Sequence, residues 1–255
     1  MSATPRLYVA PDLAPGGRLV LDGDQAHYLT RVLRLGAGDP VRVFNGRDGE
    51  LDARIAGSTK ATATLDLGER EREQAATPDL WLLFAPLKKA RTDFVVEKAV
   101  ELGAAEIRPV LTERTDAETV RVDRLQRIAV EAAEQTERLD VPPVREAEKL
   151  AAVLSNWDAR RLLIFADEAG DDLGRPWGGD AGRAASILDV LQSIADGPAA
   201  VLVGPEGGFS PAERARLRSL TSVRPVGLGP RILRAETAAV ATLSLWQAVR
   251  GDWRG

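Results

Sequence analysis

The sequence predicts an α/β protein in which a domain built on a parallel sheet follows a smaller, barrel-like β-domain. Downstream of residue 79, helical stretches alternate with apolar runs of strand length, at 80–85, 106–111, 161–166, 199–203 and 223–228. Strands that are buried on both faces and separated by helices indicate a parallel sheet. Upstream of residue 70, shorter segments such as 18–21 and 41–46 carry apolar residues in the alternation that is typical of β-strands.

The composition excludes several kinds of site. The chain has no cysteine, so it contains no disulfide, thiol nucleophile or thiolate metal ligand. His27 is the single histidine, which argues against a histidine-ligated metal and against a Ser-His-Asp triad. Because there is no run of about 18 apolar residues and no secretory leader, we expect no membrane segment. We therefore expect a cytoplasmic protein without a structural metal.

The charge balance argues against a protein that coats nucleic acid by bulk electrostatics. The formal net charge is −4, and residues 1–70 carry nine basic and nine acidic side chains, so no domain-wide positive field exists. A local basic face remains possible. Arginine supplies 29 of the 34 basic residues, so no single arginine is a signal by itself.

The N-terminal domain carries hairpin and helix signals. Asn45-Gly46 and Asp48-Gly49 favour a β-hairpin turn, since glycine tolerates positive φ. A helix is predicted over 24–35, with Asp24 as N-cap and Gly36 just past its end. Helical spacing predicts a polar face and an opposite face that packs into the core. The polar face comprises His27, Arg31 and Arg34, and the core face comprises Tyr28, Val32 and Leu35.

The boundary and the first helices of the second domain follow from composition. The charged residues 68–73 and the Thr77-Pro78 pair predict a linker, so we place the domains at 1–72 and 78–255. One helix is predicted to end at Gly103, and another over 122–138 has one apolar face made of Leu125, Ile128, Ala129 and Ala132. The glycine-rich residues 170–183 have no assigned role.

The stretch GPEGGFS, residues 204–210, follows the apolar run 199–203 directly. Ser210, Pro211 and Glu213 form a helix start in which Ser210 caps and Glu213 completes a capping box. The stretch is therefore a loop at the carboxyl end of a parallel strand, where open α/β sheets bind ligands. Its three glycines either let a ligand approach the backbone or serve a tight turn that needs positive φ.

A second loop has the same plan. Residues 227–249 again predict a strand end, a Gly-Pro loop and a helix, so both loops would face one pocket. Neither loop has a phosphate-binding signature, because G-x-x-x-x-G-K-[ST] is absent and Gly227-Leu228-Gly229 lacks the third glycine of G-x-G-x-x-G. The pocket suits an adenosine-like cofactor without phosphates.

Five blocks of the sequence together resemble the RsmE family of ribosomal RNA small-subunit methyltransferases, in the SPOUT superfamily. The similarity covers nearly the whole chain, in the order HYLTRVLRLGAGD (27–39), KAVELGAAEIRPVLTERT (98–115), EAAEQTERLDVPPV (131–144), LVGPEGGFS (202–210) and LGPRILRAETA (228–238). One departure is Glu137, where a small residue is expected.

The resemblance implies a PUA-like barrel followed by an α/β domain with a C-terminal trefoil knot, and a homodimer. It implies that S-adenosylmethionine supplies a methyl group to N3 of a uridine in 16S ribosomal RNA, within the small subunit. The cofactor would be held by Leu202, Val203, Gly204, Pro205, Glu206, Gly207, Gly208, Leu228, Gly229, Ile232, Leu233, Arg234, Thr237 and Ala238.

Candidate catalytic residues lie between the second loop and the last helix. Loss of the N3 proton places negative charge on the uracil oxygens, and a guanidinium aimed at one of them would stabilise the anion. Arg234 and Arg231 are the candidates for that role.

Glu236 either contacts the cofactor or orients Arg234, or it only complements the helix dipole. Glu206 could pair with an arginine or close the lip of the pocket, and structural support is the favoured role. No residue is an obvious proton acceptor.

The candidate RNA contacts lie in both domains. The face formed by His27, Arg31 and Arg34 either binds phosphates or is the solvated side of an amphipathic helix. Arg91 and Arg114 could line the RNA path beside the second domain, and Arg114 could equally be an ordinary ion-pair residue.

Two other functions remain open. One is a SPOUT methyltransferase of different specificity, such as a ribose 2′-O-methyltransferase, and the other is a non-catalytic ribosome-assembly factor that binds RNA.

Overall fold

The structure is a computed structural model that describes residues 4–116, 119–172, 174–175 and 178–254. The chain divides into two units. The first unit comprises residues up to Ala76 together with Val130–Val141, and the second comprises Thr77–Ala129 together with the chain from Pro142 onward.

The first unit is built on a five-stranded sheet. Its strands are β1 (Arg6–Tyr8), β2 (Arg18–Asp22), β3 (Pro40–Phe44), β4 (Glu50–Ser58) and β5 (Thr62–Arg72), in the order β1-β3-β4-β5-β2. The β1–β3 pair is parallel and the other pairs are antiparallel. Alternate side chains such as Val41, Val43, Leu51 and Ile55 are buried in one apolar core. The predicted hairpin is confirmed, because Phe44 pairs with Glu50 and both Gly46 and Gly49 have positive φ.

The helix in the first unit differs from the prediction at both ends. It begins as α1 (Gly23–His27), with Asp22 rather than Asp24 in the N-cap position, and continues as a π-helical segment over Tyr28–Val32. Asp24 lies in the first turn, where its charge complements the helix dipole. The chain then leaves the helix through Arg34, which takes φ of 56°, so Gly36 is not the residue that ends it.

The π-helical segment also changes which side chains reach the core. Leu29 is completely buried, whereas the side chain of Val32 is 59% exposed, so the prediction that Val32 packs in the core is wrong. A π-turn holds more residues than an α-turn, so the 3.6-residue spacing fails there. Tyr28 and Leu35 do pack against the core, half-buried.

The predicted linker is partly wrong. Residues 68–72 continue β5 and pair with β4, with Glu50 opposite Arg72. All five of these residues are exposed, so neither face shows the alternation by which a strand is recognised from sequence. The segment from Glu73 to Asp79 has no regular structure.

The second unit is built on a six-stranded sheet in which every pair is parallel, as predicted. Its strands are β6 (Leu80–Phe84), β7 (Glu106–Leu111), β8 (Glu148–Lys149), β9 (Leu162–Ala166), β10 (Ala199–Val203) and β11 (Val223–Val226). The strand order is β11-β9-β10-β6-β7-β8. The two-residue strand β8 was not predicted.

Six helices lie between and after these strands in the chain. They are α2 (Lys89–Glu101), α3 (Val122–Gln135), α4 (Leu150–Ser155), α5 (Ile187–Ser193), α6 (Pro211–Ser219) and α7 (Ala235–Val249), and a 3₁₀ turn follows at Asp252–Arg254. The part of α3 from Val130 onward belongs to the first unit. The predicted helices over 91–103 and 122–138 correspond to α2 and α3, whereas α4 and α5 were too short to be recognised. No helix in the described part of the chain has the length and apolar composition needed to cross a bilayer.

Glu137 lies just after α3 and has φ of 59°. In this left-handed region a side chain crowds its own backbone, whereas glycine does not. The conformation gives a physical reason for expecting a small residue at this position. Arg72 donates a hydrogen bond of 2.8 Å from Nη1 to the carbonyl oxygen of Glu137, which fixes the turn.

Candidate active site

Loops from three parallel strands enclose a cavity of about 200 Å³ in the second unit. The strands β9, β10 and β11 run in the same direction with β9 in the middle, so their carboxyl ends lie at one edge of the sheet. We call this space the first cavity. Its lining consists of Ala166, Glu168, Val203, Gly204, Pro205, Glu206, Gly208, Phe209, Ile232, Leu233, Arg234, Ala235 and Ala238.

The loop after β10 is held by its own residues. The Ser210 side chain accepts from the backbone N–H of Glu213, and the Glu213 carboxylate accepts from the backbone N–H of Ser210, which is the predicted capping box. A Cβ on Gly204 would lie 2.7 Å from the ring of Phe209. Gly208 has φ of 68°. Two of the three glycines therefore have an intramolecular reason, close packing at Gly204 and a turn at Gly208.

The loop after β11 brings Arg234 to the same cavity. Arg234 occupies the N-cap position of α7, and its carbonyl oxygen accepts from the N–H of Ala238 at 2.8 Å. The side chain of Arg234 is exposed and lines the cavity. Ile232 and Leu233 add apolar surface, and Ala235 and Ala238 leave room because their side chains are small.

Arg91 of α2 connects the two loops through ion pairs. Its Nη1 lies 3.1 Å from Oε1 of Glu206, and its Nε lies 3.5 Å from Oε1 of Glu236. Glu206 thus pairs with an arginine, which is one of the two roles predicted for it from the sequence. In the described residues, Glu236 pairs with Arg91 and not with Arg234. The other oxygen of Glu236, Oε2, is buried and has no hydrogen-bond partner among these residues.

The segment after β9 contributes a carboxylate that the sequence did not reveal. Glu168 is half-buried and lines the first cavity. Burial raises the pKa of its carboxyl; a hydrogen bond from its own backbone N–H opposes the shift, and the nearby charge of Asp167 adds to it. The signal that could have found Glu168 is its position two residues past a predicted strand, on the edge where ligands bind.

The side chain of Asp167 anchors the segment after β9. Its buried carboxylate accepts from Nε of Arg214 at 2.7 Å and from Nε of Arg218 at 2.9 Å, both on α6. Arg214 also donates to the carbonyl oxygens of Ala169 and Gly170. Two arginines of α6 thus hold the side chain that precedes Glu168, and Arg214 also holds the backbone that follows it.

A second cavity, of about 550 Å³, shares Glu168 with the first. Ala166, Gly208 and Phe209 also line both spaces. The second cavity is bordered by charged side chains, namely Arg114, Asp167, Asp171, Arg214 and Arg218. Arg114 is tied to the loop after β10, because its Nη1 donates to the carbonyl oxygen of Gly207 at 2.8 Å.

The remaining predicted site residues do not line the first cavity. Leu202 is fully buried in β10. Gly207 borders the second cavity. Leu228 and Gly229 lie where the chain leaves β11, and Arg231 and Thr237 are exposed. In the first unit, His27, Arg31 and Arg34 are all exposed, so their side chains are available to a partner.

The described residues contain no cluster of three or more carboxylate or histidine side chains arranged to hold a metal ion. The expectation of a metal-free protein stays a prediction.

Comparison with known proteins identifies the family. An RNA methyltransferase domain model matches residues 74–247, and an RNA methyltransferase PUA domain model matches residues 21–67. The ribosomal RNA small subunit methyltransferase E of Rickettsia conorii is 31% identical over 240 residues, covering 94% of this chain and 93% of that protein. The chain belongs to the ribosomal RNA small subunit methyltransferase E family.

Solved structures agree with membership of the methyltransferase E family. A member from Neisseria gonorrhoeae, bound to S-adenosyl methionine, superimposes with a TM-score of 0.81 at 26% identity, covering 98% of this chain and 99% of that one. A methyltransferase of Legionella pneumophila in complex with the same cofactor gives a TM-score of 0.83 at 28% identity, covering 98% and 100%. The resemblance inferred from the five sequence blocks is confirmed, and the N-terminal domain of the chain is PUA-like.

Proposed function

We propose that this protein transfers a methyl group from S-adenosylmethionine to N3 of a uridine in the 16S ribosomal RNA of the small ribosomal subunit. One observation carries the proposal: both glycine-containing loops of a methyltransferase E chain, together with the end of β9, line a single cavity at the ligand-binding edge of a parallel sheet.

The residues around the first cavity fit S-adenosylmethionine. This molecule combines an apolar adenine, a cationic sulfonium and an amino-acid end that carries both charges. Val203, Ile232 and Leu233 offer apolar surface for adenine. Glu206 and the buried, unpaired Oε2 of Glu236 offer negative charge, and Arg234 offers a donor for a carboxylate. When bound, the cofactor supplies an electrophilic methyl group.

Other backbone positions in the two loops would complete cofactor binding. We propose this role for Leu202, Gly204, Pro205, Gly207, Gly208, Leu228, Gly229, Thr237 and Ala238, on the strength of the loop motifs. Glycine and small residues in these loops leave backbone N–H and C=O groups open for hydrogen bonds to a base.

The side chains of Arg234 and Arg231 would lower the barrier at the uracil. The N3–H of uracil lies between two carbonyl groups, so its deprotonation places negative charge on both oxygens. An exposed guanidinium at the cavity wall stabilises that charge where it develops. Arg234 lines the cavity, so it is the better candidate of the two. Glu236 would act on the cofactor or through Arg91 rather than through Arg234.

We propose further that RNA binds through the exposed His27, Arg31 and Arg34, with Arg91 and Arg114 beside the cavities. Phosphate contacts from such side chains set register without reading bases. Residues 1–72 would form the RNA-binding domain and 78–255 the methyltransferase domain. The trefoil knot, the homodimer and the cytoplasmic location belong to the same proposal, and the family resemblance supports them.

The proposal is tested by supplying labelled S-adenosylmethionine with three substrates: small subunits that lack the modification, large subunits, and transfer RNA. We expect label in small subunits alone. Label in transfer RNA would instead favour a methyltransferase of different specificity. If calorimetry detected no cofactor binding and no substrate were labelled, a non-catalytic assembly factor would remain.

A further inference from the structure

We propose that Glu168 is the catalytic base that takes the N3 proton of the target uridine. The inference rests on the proposed function and adds the proton acceptor that the sequence did not reveal. It is carried by the position of one carboxylate on the border between two cavities.

Glu168 lines both the first cavity, where the cofactor would bind, and the larger second cavity beside it. A methyl group and the atom that receives it must meet where a cofactor site opens into a substrate site. A uracil that enters from the second cavity therefore presents its N3 side to the border formed by Ala166, Glu168, Gly208 and Phe209. Glu168 is the one residue among these four whose side chain can accept a proton.

The other carboxylates nearby are held by arginines. Glu206 and Glu236 share Arg91, and Asp167 accepts from Arg214 and Arg218. Oε2 of Glu236 has no partner among the described residues, but Glu236 lines neither cavity. Among the described residues, no cation lies within ion-pair distance of Glu168. Its oxygens remain available for the proton that a base must accept.

The charged side chains near Glu168 differ between the two cavities. In the first cavity the charged side chains are Glu206, which is paired, and Arg234. In the second cavity Asp167 and Asp171 form ion pairs with Arg214 and Arg218, and Nη1 of Arg114 donates to the carbonyl oxygen of Gly207. Partial burial removes water from Glu168 and raises the pKa of its carboxyl. A carboxylate with a raised pKa is a stronger base, which suits a weakly acidic N–H.

The proton transfer balances within the site. The N3–H bond breaks, its proton joins a carboxylate oxygen of Glu168, and the electron pair stays on the uracil. That pair would form the new bond to the methyl carbon as the methyl–sulfur bond breaks, and the electron pair of the broken bond would go to sulfur, leaving a neutral thioether. Arg234 lies on the wall of the same cavity, so the anion forms between a base and a fixed cation. After product release, Glu168 returns its proton to water through the open second cavity.

The test compares the full chain with Glu168→Gln and Glu168→Asp in single-turnover methylation of small subunits, over a pH series. At neutral pH we expect Glu168→Gln to be slower by about 10²–10⁴. Its rate should then rise about tenfold per pH unit, because hydroxide replaces the missing base. Glu168→Asp should keep part of the rate and the pH profile of the wild-type protein.

A second readout separates chemistry from structure. We expect calorimetry to show that Glu168→Gln still binds S-adenosylmethionine, with a change in affinity much smaller than its loss of rate. Asp189→Asn, an exposed acid on α5, is the matched control and should change neither measurement.

Three outcomes overturn the inference while leaving the proposed function intact: a Glu168→Gln rate equal to the wild-type rate, a defect that is equal at every pH, or a loss of cofactor affinity that accounts for the defect. If the wild-type protein itself transferred no methyl group to uridine N3, the proposed function would fail first.

Discussion

Nη1 of Arg91 lies 3.1 Å from Oε1 of Glu206, and the ion pair joins helix α2 to the loop that follows β10. The same guanidinium lies 3.5 Å from Glu236, at the start of α7. Arg91 therefore holds together the two loops that line the first cavity, although neither loop is close to α2 in sequence. Removing this side chain should loosen the cavity more than it destabilises the fold.

We expect Arg91→Ala to lower the free energy of unfolding by less than about 1 kcal/mol, since the pair is partly exposed. We expect its dissociation constant for S-adenosylmethionine to rise about fivefold, because the loops lose a shared partner. Calorimetry and thermal denaturation measure the two quantities. Arg121→Ala, which removes an exposed pair with Asp123 elsewhere on the second unit, is the control. An unchanged cofactor affinity with a raised KM for small subunits would show that Arg91 acts through its proposed RNA contact alone and does not hold the two loops for the cofactor.

Arg234→Ala should lower the single-turnover methylation rate by about 10²–10³, the loss seen when one oxyanion-stabilising donor is removed. Arg234→Lys should recover part of the rate, because the positive charge remains. Arg231→Ala should have a smaller effect, since Arg231 does not line the cavity. Normal turnover in Arg234→Ala would contradict the proposed stabilisation of the uracil anion.

Glu106, at the start of β7, should make stability depend on pH. Burial acts to raise the pKa of its carboxyl, but hydrogen bonds from Arg145 and Arg108 outweigh burial and hold the pKa below its ordinary value of 4.5. A lowered folded-state pKa stabilises the protein only while the carboxyl is ionised. This contribution is complete above the unfolded-state pKa and is lost as the pH falls through the lowered value.

We therefore expect Glu106→Gln to lower the free energy of unfolding by about 2 kcal/mol at neutral pH, because one partner of a largely buried pair is lost. The difference from the wild-type protein should shrink as the pH falls below about 4.5. Urea denaturation across that range measures it, with the exposed Glu69→Gln as control. A difference that stayed constant with pH would show that the carboxylate charge is not responsible.

Glu137→Gly should stabilise the protein. The left-handed backbone of Glu137 costs about 1 kcal/mol with a side chain and nothing with glycine, although glycine also gains entropy in the unfolded chain. We expect a net gain of about 0.5 kcal/mol and a rise in Tm of about 1–2 °C. Glu131→Gly, inside α3, should instead lower Tm, since glycine weakens a helix interior. A lower Tm for Glu137→Gly would show that the Glu137 side chain stabilises the turn.

Much of the sheet and the loop after β10 could be predicted from the sequence because their signals are local. Apolar runs with helices between them identify buried parallel strands, and Ser210 with Glu213 identifies a helix start within four residues. Glu168 was missed for a different reason. Only the strand order, which places β9 between β10 and β11, brings Glu168 to the cavity. Strand order depends on contacts between distant segments, and no short pattern encodes it.

The errors in the first unit also have a physical cause. The prediction for Val32 assumed a constant helical spacing, and the π-helical segment over Tyr28–Val32 breaks it. The prediction for Gly36 assumed that glycine takes the left-handed position, whereas Arg34 takes it. The packing of Leu29 in the core favours these local conformations. The sequence of the helix alone does not show that packing.

The most direct test of the central claim is to identify the nucleoside that the wild-type protein methylates. Small subunits that lack the modification are treated with the protein and S-adenosylmethionine, and their RNA is digested and analysed by mass spectrometry. We expect a single 3-methyluridine in 16S ribosomal RNA, and none in a sample treated with Arg234→Ala for the same short time. A methyl group on a ribose 2′-oxygen or on another base would contradict it.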